Sequence, residues 1–198
     1  MSQVETKRLL LRPFRESDAA DVLEYLSGPL PHCFVGLKLN NLDEVRAEVV
    51  KRSSETEYCF AIVLKETGRV IGEIDALPSN YEPPMLYSRE TTQPPPDTFT
   101  PCLILNAAHQ GSGYAYEATY AFFDYLFMQK GARRIYTYVD DYNVRSRHLC
   151  EKMGLRREGL FREFVSFVND AEGKPVYEDT IQYAILKQEW MAKRTSSR

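Results

Sequence analysis

Apolar positions along this chain switch repeatedly between a spacing of two and a spacing of three to four, the signature of strands alternating with helices. Leu9, Leu10 and Leu11 anchor an apolar run over 8–14 that reads as a strand. Ser17 and Asp18, residue types that open helices, introduce a helical pattern at 18–27, and a second one covers 42–53. Residues 58–64 and 70–77 read as an antiparallel hairpin around Glu66-Thr67-Gly68, a glycine-bearing turn. The apolar run at 101–105 is too short for a helix and fits a buried strand. After it, Ala115, Ala118, Phe122, Tyr125 and Leu126 fall on one face of a long helix that Lys130-Gly131 closes. Residues 134–139 alternate as a strand, and 143–154 read as a shorter helix with Asn143 as its N-cap and Gly154 as its terminator. A last strand pair at 160–168 and 176–186 turns around Asn169-Asp170. The expectation is an α/β fold with a mixed sheet and no internal repeat.

Gln110-Gly111-Ser112-Gly113-Tyr114-Ala115 joins a strand to the long helix. Without a Cβ at Gly111 and Gly113 the backbone can turn tightly and approach a ligand closely. The first amides of the helix then stay unpaired, and together with the helix dipole they favour an anion by roughly 0.3–1 kcal/mol per well-placed charge. An ordinary strand-to-helix turn would use the same glycines. The two better-known glycine fingerprints do not fit, since no Lys-Ser/Thr pair follows and the third glycine of a dinucleotide motif is missing. Two strand-helix units in succession bring the turns before both helices side by side, so one ligand can touch both helix starts.

Charge sharpens this picture. The chain carries −3 overall, yet between Lys130 and Arg162 nine Lys or Arg stand against four acids, a local +5 that leaves −8 for the remainder. A basic region beside two helix starts suits a polyphosphate ligand, with Arg145 and Arg147 as phosphate candidates, whereas a nucleic-acid binder would more often be basic throughout. A solvated helix face explains part of the same charge.

The 198 residues, 43% hydrophobic, suit a single domain over 1–198 with a sizeable core. One segment interrupts it: 78–99 holds six of the eleven prolines and cannot be a regular helix. We expect this Pro-rich insertion to cover a binding site, to meet a second copy, or to lack order. No apolar segment reaches 18 residues, and Leu9-Leu10-Leu11 between Arg8 and Arg12 is too short for a signal peptide, so a soluble cytoplasmic protein without a membrane partner is expected. Cys33, Cys59, Cys102 and Cys150 show neither close pairing nor metal spacing, which points to reduced thiols and no metal.

The segments QGSGYAYEA and NVRSRHLCEKMGLRREG resemble the GNAT superfamily of acyl-CoA-dependent N-acetyltransferases. ETKRLLLRPFRESDAADVLEYL, VIGEI and YEDTIQYAILKQEW are similar to its Rim-type branch of ribosomal-protein alanine N-acetyltransferases, and together these segments span nearly the whole chain. The resemblance implies the GNAT fold, a mostly antiparallel sheet in which a central parallel strand pair splays apart to admit the pantetheine arm of acetyl-CoA. It implies that Gln110 to Ala115 hold the pyrophosphate through backbone amides, that the thioester lies along Leu103, Ile104 and Leu105, and that Asn143, Arg145 and Ser146 contact the cofactor. The implied acceptor is a primary amine: a protein N-terminus, or a polyamine, aminoglycoside or amino acid. A homodimer is a mild expectation from relatives.

Amine acetylation needs a base for the amine, donors for the developing oxyanion and a proton for the departing thiolate. The strand at 70–77 places Glu73 and Asp75 on one face, and we take Glu73 as base with Asp75 second, although strand alternation alone accounts for both. Many relatives carry a glutamate where this chain has Thr100, and many use a tyrosine where it has Cys150. The Rim-type pattern instead uses a serine three residues after an asparagine, matched here by Asn143 and Ser146, so Ser146 is the expected proton donor. The alternative is that Asn143 merely caps the helix that Ser146 begins. His32, His109 and His148 show no Ser-His-Asp spacing, and an acyl-CoA-binding module without catalysis is the alternative function.

Overall fold

The computed structural model describes residues 3–78 and 97–196. The strands are β1 (Val4–Glu5), β2 (Leu9–Arg12), β3 (Cys59–Leu64), β4 (Val70–Pro78), β5 (Thr98–Leu105), β6 (Arg134–Asp140), β7 (Arg156–Asn169) and β8 (Pro175–Leu186). The helices are α1 (Ala19–Leu26), α2 (Leu42–Ser54), α3 (Tyr114–Met128), α4 (Val144–Met153) and α5 (Lys187–Ser196). One eight-stranded sheet runs β1-β2-β3-β4-β5-β6-β8-β7, and its only parallel neighbours are β5 and β6. This is the α/β architecture that the hydrophobic pattern and the family resemblance predict.

Strand alternation divides the core between the two faces of the sheet. In β3, Phe60, Ile62 and Leu64 pack on one side with Phe122, Tyr125 and Leu126 of α3, while Ala61 and Val63 pack on the other with Val22 and Leu26 of α1 and Val45 and Val49 of α2. Helix α5, absent from the sequence reading, places the fully buried Trp190 against Tyr120, Phe123 and Phe127. The 3-10 turn His32–Leu37 between α1 and α2 is a second unforeseen element. Strand β7 starts at Arg156, four residues before its expected start, because register shifts at 157/159 and 161/165 break its periodicity.

Two expectations need correcting. The expected strand at 8–14 ends at Arg12, where Pro13 supplies no ladder donor. Asp18 makes no cap hydrogen bond to α1. Its carboxylate instead accepts from both Arg12 Nη1 (2.7 Å) and Nη2 (2.8 Å), and from the Arg15 amide, in a buried bidentate pair. Most of the Pro-rich segment, 79–96, lies outside the described residues. Its ends are shorter than expected, since Pro78 belongs to β4, Thr98 and Phe99 belong to β5, and Pro78 pairs with Phe99.

The central feature is how β5 and β6 part. They pair only at Thr98 with Arg134 and Phe99 with Ile135. Beyond that point β5 stays bonded to β4 as far as Leu105, and β6 stays bonded to β8. The Asn106 amide donates to Ile71 O, so by strand alternation the amides of Ile104 and Cys102 also face β4, while those of Leu105 and Leu103 face the gap. Position 101 would be the next donor toward β6, and it is a proline. On the opposite flank Gly72 lets β4 lie close, for a Cβ there would stand 2.3 Å from Ile104 O.

Two stability predictions follow. Asp18→Asn, which leaves Arg12 buried and unpaired, should cost about 3–5 kcal/mol in urea unfolding. Gly72→Ala should cost about 1–3 kcal/mol by forcing β4 from β5, and its amide spectrum should change most at 103–106.

Candidate functional site

A cavity of about 390 Å³ occupies the space between the parted strands. Its walls are Thr100 to Leu103 of β5, Thr137 to Asp140 of β6, Asn143, Ser146, Leu149 and Cys150 of α4, Thr119 and Phe123 of α3, and Cys33 and Phe34 of the 3-10 turn. Side chains from both faces of the sheet contribute, so the gap runs through the sheet rather than lying on it. That size and mostly apolar lining are those of a small-molecule site.

At one end of the gap sits the loop Gln110 to Ala115. Gly111 (φ 79°) and Gly113 (φ 82°) adopt the left-handed conformation that favours glycine, and Gly113 is the N-cap of α3 without a side-chain cap bond. The first-turn amides of Tyr114 and Ala115 therefore have no intrahelical partner. Gln110 fastens the loop by donating to Leu105 O (3.2 Å) and accepting from Arg145 Nη1 (2.5 Å), which ties it to the start of α4. The two helix starts expected to share one ligand are thus joined through a side-chain hydrogen bond.

Arg8, which no sequence signal singled out, completes the loop. Its guanidinium donates to Ser112 O (2.9 Å) and Glu117 Oε2 (2.7 Å) and lies 4.4 Å over the Tyr114 ring. Burial pulls the Glu117 carboxyl up, but hydrogen bonds from Thr6 and Arg8 leave it below its ordinary value. Arg147 is elsewhere: two residues on a helix are separated by roughly 200°, and it pairs with Asp141 (3.2 Å) rather than approaching the loop.

Of the residues expected along the cofactor, Leu103 lines the cavity, while Ile104 is buried against the α1 and α2 side. Asn143 Oδ1 accepts from the Ser146 amide (3.2 Å), so it does cap α4, and both residues also line the cavity. Capping and ligand contact are compatible, because the cap uses only the Asn143 oxygen. Cys150 is buried in the wall with its thiol pushed up to about 12 by burial.

Glu73 and Asp75 share the face that looks toward α1 and α2, as strand parity requires, but their surroundings differ. Glu73 is 4% exposed, accepts from Tyr25 Oη (2.6 Å) and is bonded to Arg52, which also pairs with Glu48 (2.9 Å). The Asp75 carboxylate forms no hydrogen bond or ion pair with a described residue, and Asp75 pairs across the ladder with Cys102, which lines the cavity. Burial, with the charge of Glu73, pushes its carboxyl up to about 7. The described residues contain no cluster of three or more His, Cys, Asp or Glu fit to hold a metal, no disulfide joins the four cysteines, and no described helix is long and apolar enough to cross a membrane.

Comparison with known proteins agrees with this geometry. The family model for the acetyltransferase (GNAT) domain matches residues 8–156. The uncharacterized N-acetyltransferase YnaD of Bacillus subtilis (strain 168) is 27% identical over 187 residues, which cover 94% of this chain and 98% of YnaD. The crystal structure of the GNAT-family acetyltransferase from Bacillus anthracis superposes with a TM-score of 0.77 at 24% identity, covering 94% of this chain and 99% of that one. The ribosomal-protein-S5-alanine acetyltransferase from Vibrio fischeri superposes with a TM-score of 0.65 at 18% identity, covering 96% and 99%, a likeness of fold. Since the family model spans β2, the glycine loop and both strand-helix units, the chain belongs to the GNAT family of acetyltransferases.

Proposed function

We propose that this protein moves the acetyl group of acetyl-CoA, the acyl donor of its family, to a primary amine by direct attack within a ternary complex. The observation that carries this reading is the gap that crosses the sheet, because it lets a donor held on the α3 and α4 side meet an acceptor arriving from the α1 and α2 side. The residues present fit such a donor. Amides at the start of α3, with Arg145 beside them, suit the pyrophosphate, and the gap-facing backbone groups of Leu103 and Leu105 suit the amide-bearing pantetheine arm.

The thioester supplies an activated acyl carbon. Around it, the Leu105 amide is the donor placed to meet the developing oxyanion. Asp75 takes the proton that the amine loses as its C–N bond forms, and Ser146 gives a proton to the thiolate as the C–S bond breaks, regaining one from solvent. Asp75 replaces Glu73 as the base, because the Glu73 carboxylate is already held by Arg52 and Tyr25 whereas that of Asp75 has no such partner. The resemblance to the Rim-type branch favours a protein N-terminus as acceptor, and a small amine is the second candidate.

Calorimetric titration with acetyl-CoA and with CoA lacking its 3′-phosphate tests donor binding directly. Tight binding of the first is expected, and its absence would overturn the reading. Ser146→Ala should lower kcat by about 10²-fold or more while acetyl-CoA affinity stays near wild type; unchanged turnover would remove Ser146 from the mechanism.

A base works only when ionised, so kcat/KM should fall as pH drops through about 7, the value to which Asp75 is raised. Asp75→Asn should abolish that limb and lower the rate about 10²–10⁴-fold. A Glu73→Gln enzyme that kept the limb would agree with the clamping role of Glu73.

A further inference from the structure

A second set of acids lies at the far end of β6, outside the machinery described above. Asp140 of β6 stands directly across from Thr180 of β8, and Glu178 lies two residues before Thr180 on the same face. All three are buried, at 6%, 2% and 8% exposure. Neither carboxylate forms an ion pair with a lysine or arginine among the described residues. Glu178 Oε1 meets Nδ1 of the half-exposed His32 ring at 2.5 Å, a contact that is an ion pair only when the imidazole is protonated. Tyr142 donates weakly to Asp140 (3.4 Å).

Two polar atoms are left over. Glu178 Oε2 and Thr180 Oγ1 are buried with no hydrogen-bond partner among the described residues. Asp140 and Thr180 both line the cavity between the strands. Burial and the neighbouring Glu178 charge push the Asp140 carboxyl above its ordinary value. Two buried carboxylates with a spare hydroxyl cost free energy unless something cationic joins them. A buried structural ion pair would have supplied its own Lys or Arg, as Arg52 does for Glu73 and Arg12 for Asp18.

We propose that Asp140, Glu178 and Thr180 form a subsite for an ammonium group of the acceptor other than the amine that is acetylated. This rests on the reading of the gap as the acetyl-transfer site, and it specifies the acceptor class: a diamine or longer polyamine. The attacking amine must be neutral, so it sits at the gap near Asp75, while a distal ammonium is held by charge-assisted hydrogen bonds to the two carboxylates and the threonine oxygen. Such a site discriminates strongly, because an acceptor without the second ammonium leaves the acids unpaired.

Binding of 1,4-diaminobutane and its longer homologues, against monoamines of equal length, tests this by calorimetry on wild type, Asp140→Asn and Glu178→Gln, each also titrated with acetyl-CoA. The expected result is a preference for a diamine of about tenfold or more, lost in both variants while acetyl-CoA affinity is unchanged. Thr180→Val, which keeps the shape and removes the oxygen, should weaken the preference partially and guards against a misfolded charge variant. A wild type without diamine preference, or a preference that survives both carboxylate substitutions, overturns the proposal. In either case intact acetyl-CoA binding leaves the transferase reading standing, whereas loss of acetyl-CoA binding in wild type counts against that reading alone.

Discussion

Backbone amides and carbonyls removed from water must find partners, and that requirement governs the centre of this sheet. A strand with neighbours on both sides normally satisfies every group through its two ladders. Here β5 keeps its ladder to β4 along its length but loses β6 after Phe99. The groups of Leu103 and Leu105 on that side would be unpaired and enclosed, which a native interior seldom tolerates. Gln110 takes up the Leu105 carbonyl, and Pro101 removes one donor at the point of separation, so the amides of Leu103 and Leu105 remain. Two strand amides open in an otherwise apolar gap suit the carbonyl-bearing donor proposed above.

The same parting explains the arrangement of charge. On the α1 and α2 side the acids are sorted by whether they have a partner. Glu73 is held by Arg52 and Tyr25, which reach it from α2 and α1 and so tie both helices to β4. Pairs of this kind add little net stability but are costly to break, so they fix geometry rather than supply folding energy. Asp75, two residues along, is left without such a clamp, and burial together with the Glu73 charge raises its carboxyl pKa. One strand thus carries one clamped acid and one without a clamp, and the neighbouring helices determine which is which.

Much of this was legible in the sequence. The helical and strand periods account for seven of the eight strands, all but the two-residue β1, and four of the five helices, because Phe60 to Leu64 and Ala118 to Leu126 place their apolar side chains at regular spacing. Gly111 and Gly113 were legible because only a left-handed turn required them. What sequence could not show was pairing between distant residues. Asp18 looked like a helix cap because a cap and an ion-pair partner are the same residue type, and only Arg12 folded against it separates the two. Glu73 and Asp75 looked alike because parity assigns a face and says nothing of what is opposite. Arg8 carried no motif, as its partners Ser112 and Glu117 are more than a hundred positions away.

The departures at Thr100 and Cys150 then have a physical reading. Both line the gap, and neither is charged. A carboxylate at 100 would project from the gap-bordering strand, whereas Asp75 lies on the adjacent strand, paired with the gap-lining Cys102. With the acid on β4 instead of β5, the gap wall is uncharged at Thr100. In the proposed mechanism the protonation machinery is therefore spread across β4 and α4 rather than concentrated on β5.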